Sequence, residues 1–97
     1  VKFADTGKPV RRLAVISGAG GSMFEDALAV RADCLLTGEA NHHAAIDAVR
    51  LGLSLVVAGH YATEFPVCAA IADRLHAAFP ELEVRVSGEN RDPFTYI

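Results

Sequence analysis

The stretch Leu53–Glu64 (LSLVVAGHYATE) decides the fold class of this chain. Its first part, Leu53–Ala58, is a continuous apolar run that predicts a buried central strand, and Gly59 ends the run. A helical pattern begins at about Thr63 and stops at Pro80. A buried strand that leads into a helix is the repeating unit of an α/β sheet.

An earlier strand and helix are predicted in the same order. Arg11–Ser17 is a short apolar run, and the glycine-rich loop Gly18–Gly21 follows it. Ser22 is a suitable N-cap, with Glu25 three residues further on, for a helix over about Met23–Val30. The loop is therefore expected between a strand and the first turn of a helix.

A further strand and helix lie between these two units. Cys34–Thr37 is an apolar run, Asn41 is a plausible N-cap, and Gly52 ends the alanine-rich helix that follows. Near the C-terminus, Leu82–Val86 alternates as a half-exposed edge strand, and Pro93–Ile97 is an extended segment. The fold class is thus α/β, with a mainly parallel sheet, helices on its faces and βαβαβαβ order.

Length, composition and charge limit the kinds of protein that this chain can be. With 97 residues, 52% of them hydrophobic, and no linker or repeat, the chain is expected to be a single α/β domain over residues 1–97. The net charge of −3 and the scattered basic residues predict no nucleic-acid partner. No membrane span or signal peptide is visible, so a cytoplasmic protein is expected. Cys34 and Cys68 lack CxxC spacing and are expected to be reduced, buried thiols.

Chemistry is expected where the strands end, because ligands of open α/β sheets bind beyond the carboxyl ends of the strands. Three loops qualify: Gly18–Ser22, Thr37–His43 and Gly59–Glu64. They would gather glycines, histidines and glutamates at one edge of the sheet.

In the last loop, His60 and Glu64 are four residues apart across a strand-to-helix junction. An imidazole nitrogen and a carboxylate oxygen aimed at one point can bind zinc, manganese or iron. The same spacing also suits ordinary helix capping, in which a carboxylate in the first turn complements the helix dipole.

The other two loops also allow two interpretations each. Backbone N–H groups of the glycine loop can contact an anion, or the glycines simply allow strand and helix to pack closely. The residues in question are Gly18, Gly20, Gly21 and Ser22. Glu39 can bind a ligand or cap the next helix, and His42 and His43 are either surface residues or reach the same edge.

Three strings in this order and spacing carry a family resemblance: Ser17–Ser22, Leu36–Glu39 and Ala58–Glu64. Together they resemble the second half of Nif-three-like proteins, often labelled GTP cyclohydrolase I type 2 homologues. The resemblance covers about residues 11–97. The chain starts at Val1 with a polar segment, which is typical of a cut made by processing, of a trimmed tag or of a deliberate fragment. The resemblance implies a fragment of a longer protein with two similar α/β halves.

The resemblance implies a pair of divalent metal ions, with His60 and Glu64 among the ligands and His43 close by. The remaining ligands in that family, a histidine pair and an aspartate, come from an N-terminal half that is absent from this sequence. His42–His43 is not that pair, because it stands in another motif. Family members commonly form ring-shaped hexamers, so a homo-oligomer is expected of the full-length form.

Two functional hypotheses follow. The first is a metal-dependent hydrolase half-site, which acts on a small phosphorylated or purine substrate with Glu39 or His43 as candidate proton carriers. The second is a non-catalytic module for oligomerisation or protein interaction, in which the incomplete metal site stays empty.

Overall fold

The computed structural model describes all 97 residues. By its internal contacts the chain falls into two compact units, Val1–Glu64 and Phe65–Ile97. The expectation of a single domain stays a prediction. None of the helices has the length and apolar character that crossing a bilayer requires.

The first unit contains a four-stranded sheet with the order β1-β4-β3-β2. Its strands are Lys2–Ala4 (β1), Leu13–Ile16 (β2), Cys34–Thr37 (β3) and Ser54–Val57 (β4). The neighbours β2, β3 and β4 are parallel, as predicted, whereas β1 pairs antiparallel with β4. The α/β class is confirmed, and the sheet is mixed because of β1. Sequence analysis missed β1, since three residues are too few for a periodic signal.

Three α-helices belong to this unit: Phe24–Ala29 (α1), His42–Arg50 (α2) and His60–Glu64 (α3). The N-cap of α2 is confirmed, because the side-chain oxygen of Asn41 accepts the N–H of Ala44 at 2.8 Å. The predicted N-cap role of Ser22 is wrong. The chain first forms a 3₁₀ helix over Gly20–Met23, and α1 then begins without a side-chain cap.

One face of the sheet carries the core. Leu35 of β3 and Leu55 of β4 are neighbours in register and fully buried, and they pack with Ala27 of α1 and Ala48 of α2. Burying a leucine side chain stabilises a fold by about 1.5 to 3 kcal/mol. This packing holds β3 and β4 in place, so the positions of the loops at their carboxyl ends follow from the core.

A polar clamp holds the start of β2. The carboxylate of Asp33 accepts the backbone N–H groups of Arg11 and Arg12 at 2.9 and 2.8 Å. The Arg12 guanidinium donates to the carbonyl of Val30, just past the end of α1. The backbone hydrogen bonds from Arg11 and Arg12 hold the pKa of Asp33 below its ordinary value.

The second unit contains one helix, Pro66–Ala78 (α4). Proline is its first residue, so α3 and α4 are separate helices and not the continuous one predicted from about Thr63. Both cysteines are free, and Cys34 is buried as predicted, whereas the prediction of a buried thiol at Cys68 is wrong because that residue is half-buried.

The predicted edge strand Leu82–Val86 is wrong, because these residues pair with no strand. Val84 and Val86 instead line a cavity of about 320 Å³ together with Ile71 and Leu75 of α4. The alternating pattern therefore does not mark a strand here: Val84 is half-buried beside the helix, whereas Leu82 and Val86 stay exposed.

Candidate metal centre

The three loops after the parallel strands are hydrogen-bonded to one another. The N–H of Glu39 donates to the carbonyl of Gly18 at 2.8 Å, and the N–H of Gly21 donates to the carbonyl of Glu39 at 2.9 Å. The N–H of Gly59 donates to the carbonyl of Gly38 at 3.0 Å. The convergence expected at the carboxyl edge of the sheet is therefore present.

Two threonine hydroxyls hold the glycine loop by hydrogen bonds to its backbone. Thr37 Oγ1 accepts the N–H of Gly20 at 3.0 Å and donates to the carbonyl of Gly18 at 3.2 Å. Thr63 Oγ1 accepts the N–H of Gly18 at 3.0 Å and donates to the carbonyl of Gly59 at 2.9 Å. Sequence analysis did not single out these threonines. The sequence signal was a hydroxyl side chain at each place: Thr37 is the last residue of β3, and Thr63 lies in α3, the helix that follows β4.

Glycine is required at position 18 for two reasons. Its φ of +65° lies in the left-handed region, and a Cβ there would lie 2.2 Å from Glu64 Oε1. At position 38 a Cβ would lie 2.6 Å from the carbonyl oxygen of Gly18. These glycines let the loops approach closely enough for the Glu64 carboxylate to occupy the space above Gly18.

The glycine loop uses its own amides inside the protein. The N–H groups of Gly18, Gly20 and Gly21 all donate to protein oxygens. This supports the interpretation that the glycines serve close packing. An anion-binding role for Gly18, Gly20, Gly21 and Ser22 stays a prediction.

His60 lies between two carboxylates. It is the first residue of α3, and its Nε2 is 3.1 Å from Glu64 Oε2, because residues four apart lie on the same side of a helix. Its Nδ1 is 3.3 Å from Glu39 Oε2. The side chains of His60, Glu39 and Glu64 are 45%, 53% and 52% exposed, so a solute can reach them.

The electrostatics of this cluster favour positive charge. The hydrogen bond to Glu39 is the main cause that raises the pKa of His60, and the negative charges of Glu64 and Glu39 act in the same direction. Partial desolvation opposes the rise in the His60 pKa. A site with two carboxylates around one imidazole is suited to a cation.

The donor set fits part of a metal shell. Two ligands of a tetrahedral zinc ion lie about 3.3 Å apart, and His60 Nε2 and Glu64 Oε2 have a similar separation of 3.1 Å. Glu39 faces the other ring nitrogen and cannot join them at one ion. No three histidine, cysteine or acidic side chains of the structure converge to hold a metal. The chain thus presents a pair of candidate ligands.

The remaining candidates lie at the start of α2. His43 makes an edge-to-face contact with His42, with 6.1 Å between ring centroids, whereas the ion-pair partners of His60 are Glu39 and Glu64. Its predicted approach to the metal ligands stays a prediction. Glu39 does not cap α2, since Asn41 does so, and its carboxylate is directed at His60.

Comparison with known proteins points to one family. The family model described as Duf34/NIF3 (NGG1p interacting factor 3) matches residues 1–93. A Clostridium perfringens protein named GTP cyclohydrolase 1 type 2 homolog is 30% identical over 94 residues, which are 96% of this chain and 36% of that protein. The chain spans about a third of the length of the curated relatives it matches.

Solved structures agree with this match. The crystal structure of the Staphylococcus aureus hypothetical protein SA1388 superposes with a TM-score of 0.86 and 31% identity, covering 99% of this chain and 33% of that one. A Bacillus cereus protein related to NIF3 gives a TM-score of 0.71 and 28% identity, covering 99% of this chain and 28% of the other.

Proposed function

Because the chain belongs to the Duf34/NIF3 family, we propose that it supplies one part of a metal-dependent hydrolase site of the GTP cyclohydrolase 1 type 2 homologue class. The observation that carries the proposal is the contact of His60 Nε2 with Glu64 Oε2 at the carboxyl edge of the sheet. An accessible imidazole beside a carboxylate is a donor pair that zinc, manganese and iron all accept.

In this proposal His60 and Glu64 are ligands of a site for two divalent ions. The other ligands come from the part of the longer protein that this chain does not contain, since its relatives are about three times as long. The metals supply a nucleophilic water near neutral pH and stabilise charge on a phosphorylated or purine substrate. The two candidate proton carriers are His43 and Glu39.

Metal analysis of the longest natural form tests the ligand assignment. We expect His60→Ala and Glu64→Ala each to lose most of the bound metal while circular dichroism stays unchanged, because both side chains are about half-exposed and the core lies elsewhere. His76→Ala is the matched control, since His76 lies in α4 of the second unit. Unchanged metal content in both site variants would contradict the assignment.

Comparing turnover with metal content shows whether His43 transfers protons or binds the metal. His43→Gln should reduce turnover of a phosphorylated or purine substrate more than it reduces metal content, because the proposed role is proton transfer. His42→Gln is the control, since it removes the neighbouring ring. A larger loss of metal than of turnover would make His43 a ligand instead.

A second function, as a module for homo-oligomerisation, is favoured by one surface. Val15, Leu36, Val56 and Phe3 occupy one row across the sheet by strand register. The two at its ends, Val15 and Phe3, are 61% and 75% exposed. Exposed apolar rows of this kind often mark interaction surfaces. If oligomerisation is the function, Val15→Lys should lower the sedimentation coefficient of the longest natural form, whereas His60→Ala should leave it unchanged.

A further inference from the structure

The Glu39 carboxylate has no place in the two-ligand arrangement, yet it contacts His60. Its backbone is held at both polar groups, because its N–H donates to Gly18 at 2.8 Å and its carbonyl accepts from Gly21 at 2.9 Å. The side chain itself is 53% exposed and is not held by packing. Its direction is therefore set by the contact with His60 Nδ1.

We propose that Glu39 is a positioning residue for His60: its carboxylate accepts the Nδ1–H of the imidazole and leaves Nε2, the nitrogen beside Glu64, as the one that binds the cation. This inference rests on the metal site proposed above.

An imidazole ring can present either nitrogen to a ligand if it rotates by half a turn. Two carboxylates contact the His60 ring, with Glu39 at Nδ1 and Glu64 at Nε2. Metal-binding histidines generally donate their second N–H to a carboxylate or carbonyl, which fixes the tautomer and the ring orientation. Glu39 is the group in this position, and Glu64 is then free to bind the same ion as Nε2.

The backbone hydrogen bonds of Glu39 also explain why its carboxylate can hold the His60 ring in one orientation. A carboxylate on a mobile loop would lose conformational entropy whenever it held the ring. The two backbone hydrogen bonds of Glu39 have already fixed its main chain, so only the side-chain torsions remain to be ordered. Gly38 allows this placement, since a Cβ there would lie 2.9 Å from the Cα of His60.

Zinc titration of the longest natural form tests the proposal. Glu39→Ala removes the acceptor and should weaken zinc binding about 10- to 100-fold, the usual effect of losing such a partner. Glu39→Gln keeps an oxygen acceptor without the charge and should lose clearly less. Glu25→Ala removes an acidic residue of α1 outside the cluster and should bind zinc like the parent protein.

NMR of the imidazole nitrogens provides a second measurement that does not depend on activity. The parent protein should show the metal on Nε2 of His60 with the proton on Nδ1, and Glu39→Ala should show both nitrogens in use. Equal zinc affinity and an unchanged metal-bound nitrogen in Glu39→Ala would overturn the proposal. A loss in Glu39→Gln as large as in Glu39→Ala would also overturn it, since charge alone would then explain the effect.

These results are separable from failure of the metal site. If His60→Ala abolishes zinc binding but Glu39→Ala does not, the metal site stands and the positioning role is overturned. If zinc binding is unaffected by His60→Ala, the proposed metal site is wrong, and the positioning role is overturned with it.

Discussion

Replacement of Gly18 by alanine should displace the Glu64 carboxylate from the candidate metal site. The clash itself should add little to the loss of folding free energy that alanine causes in a left-handed conformation. The new Cβ would lie 2.2 Å from Glu64 Oε1, whereas ordinary contacts begin at 3.4 Å. The carboxylate must therefore move by about 1 Å, and it can do so because it is the end of a flexible side chain. The 3.1 Å contact with His60 Nε2 is lost in that movement.

The expected magnitudes come from two separate terms. Alanine in the left-handed region costs about 1 to 2 kcal/mol of folding free energy. Misplacing one reacting or binding group by about 1 Å costs on the order of 100-fold in function. We therefore expect a modest loss of stability and a loss of zinc affinity between about 10- and 100-fold.

Gly7→Ala is the matched control. Gly7 has a φ of +73°, close to the +65° of Gly18, but a Cβ at this position meets nothing within 4 Å. Both variants should lose similar stability in urea denaturation, and only Gly18→Ala should lose zinc affinity by calorimetry in the longest natural form. Equal zinc affinity in the two folded variants would refute the reasoning, because Glu64 would then not depend on the space above Gly18.

Two further predictions concern stability. Thr37→Val leaves the buried N–H of Gly20 without its acceptor and should cost about 1 to 3 kcal/mol in urea denaturation, with Thr37→Ser losing less. A valine variant as stable as the parent would contradict this. Asp33 has a lowered pKa when folded, so its stabilisation is present above the unfolded value of 3.8 and lost as pH falls through the folded one. The urea midpoint of Asp33→Asn should approach that of the parent at acidic pH, and a constant difference would refute the assignment.

Much of the candidate site was accessible from local sequence patterns. The run Leu53–Ala58 predicted a central strand, and β4 does lie between two neighbours, although only one face of the sheet carries the core. Parallel strands bring their carboxyl ends to one edge, so the meeting of the three loops followed from element order alone. The four-residue spacing of His60 and Glu64 then placed both side chains together, as the 3.1 Å contact shows.

Other features depended on contacts between distant segments. The sequence offered two roles for Glu39, and only the approach of the loop after β4 directs its carboxylate to His60 and leaves the capping of α2 to Asn41. The alternation of Leu82–Val86 predicted a strand, but Val84 and Val86 instead line a cavity beside α4, and no strand pairs with them.

What the sequence by itself determined is therefore the strands β2 to β4 with the helices between them, the edge where the three loops meet and the contact between His60 and Glu64. Periodicity and spacing act within a few residues, and these features need nothing more. The tertiary structure alone decided the antiparallel β1, the close packing of the glycine loop and the partner of His60 Nδ1. Each of these depends on contacts between residues seventeen or more positions apart, and a single sequence carries no local signal for such pairs.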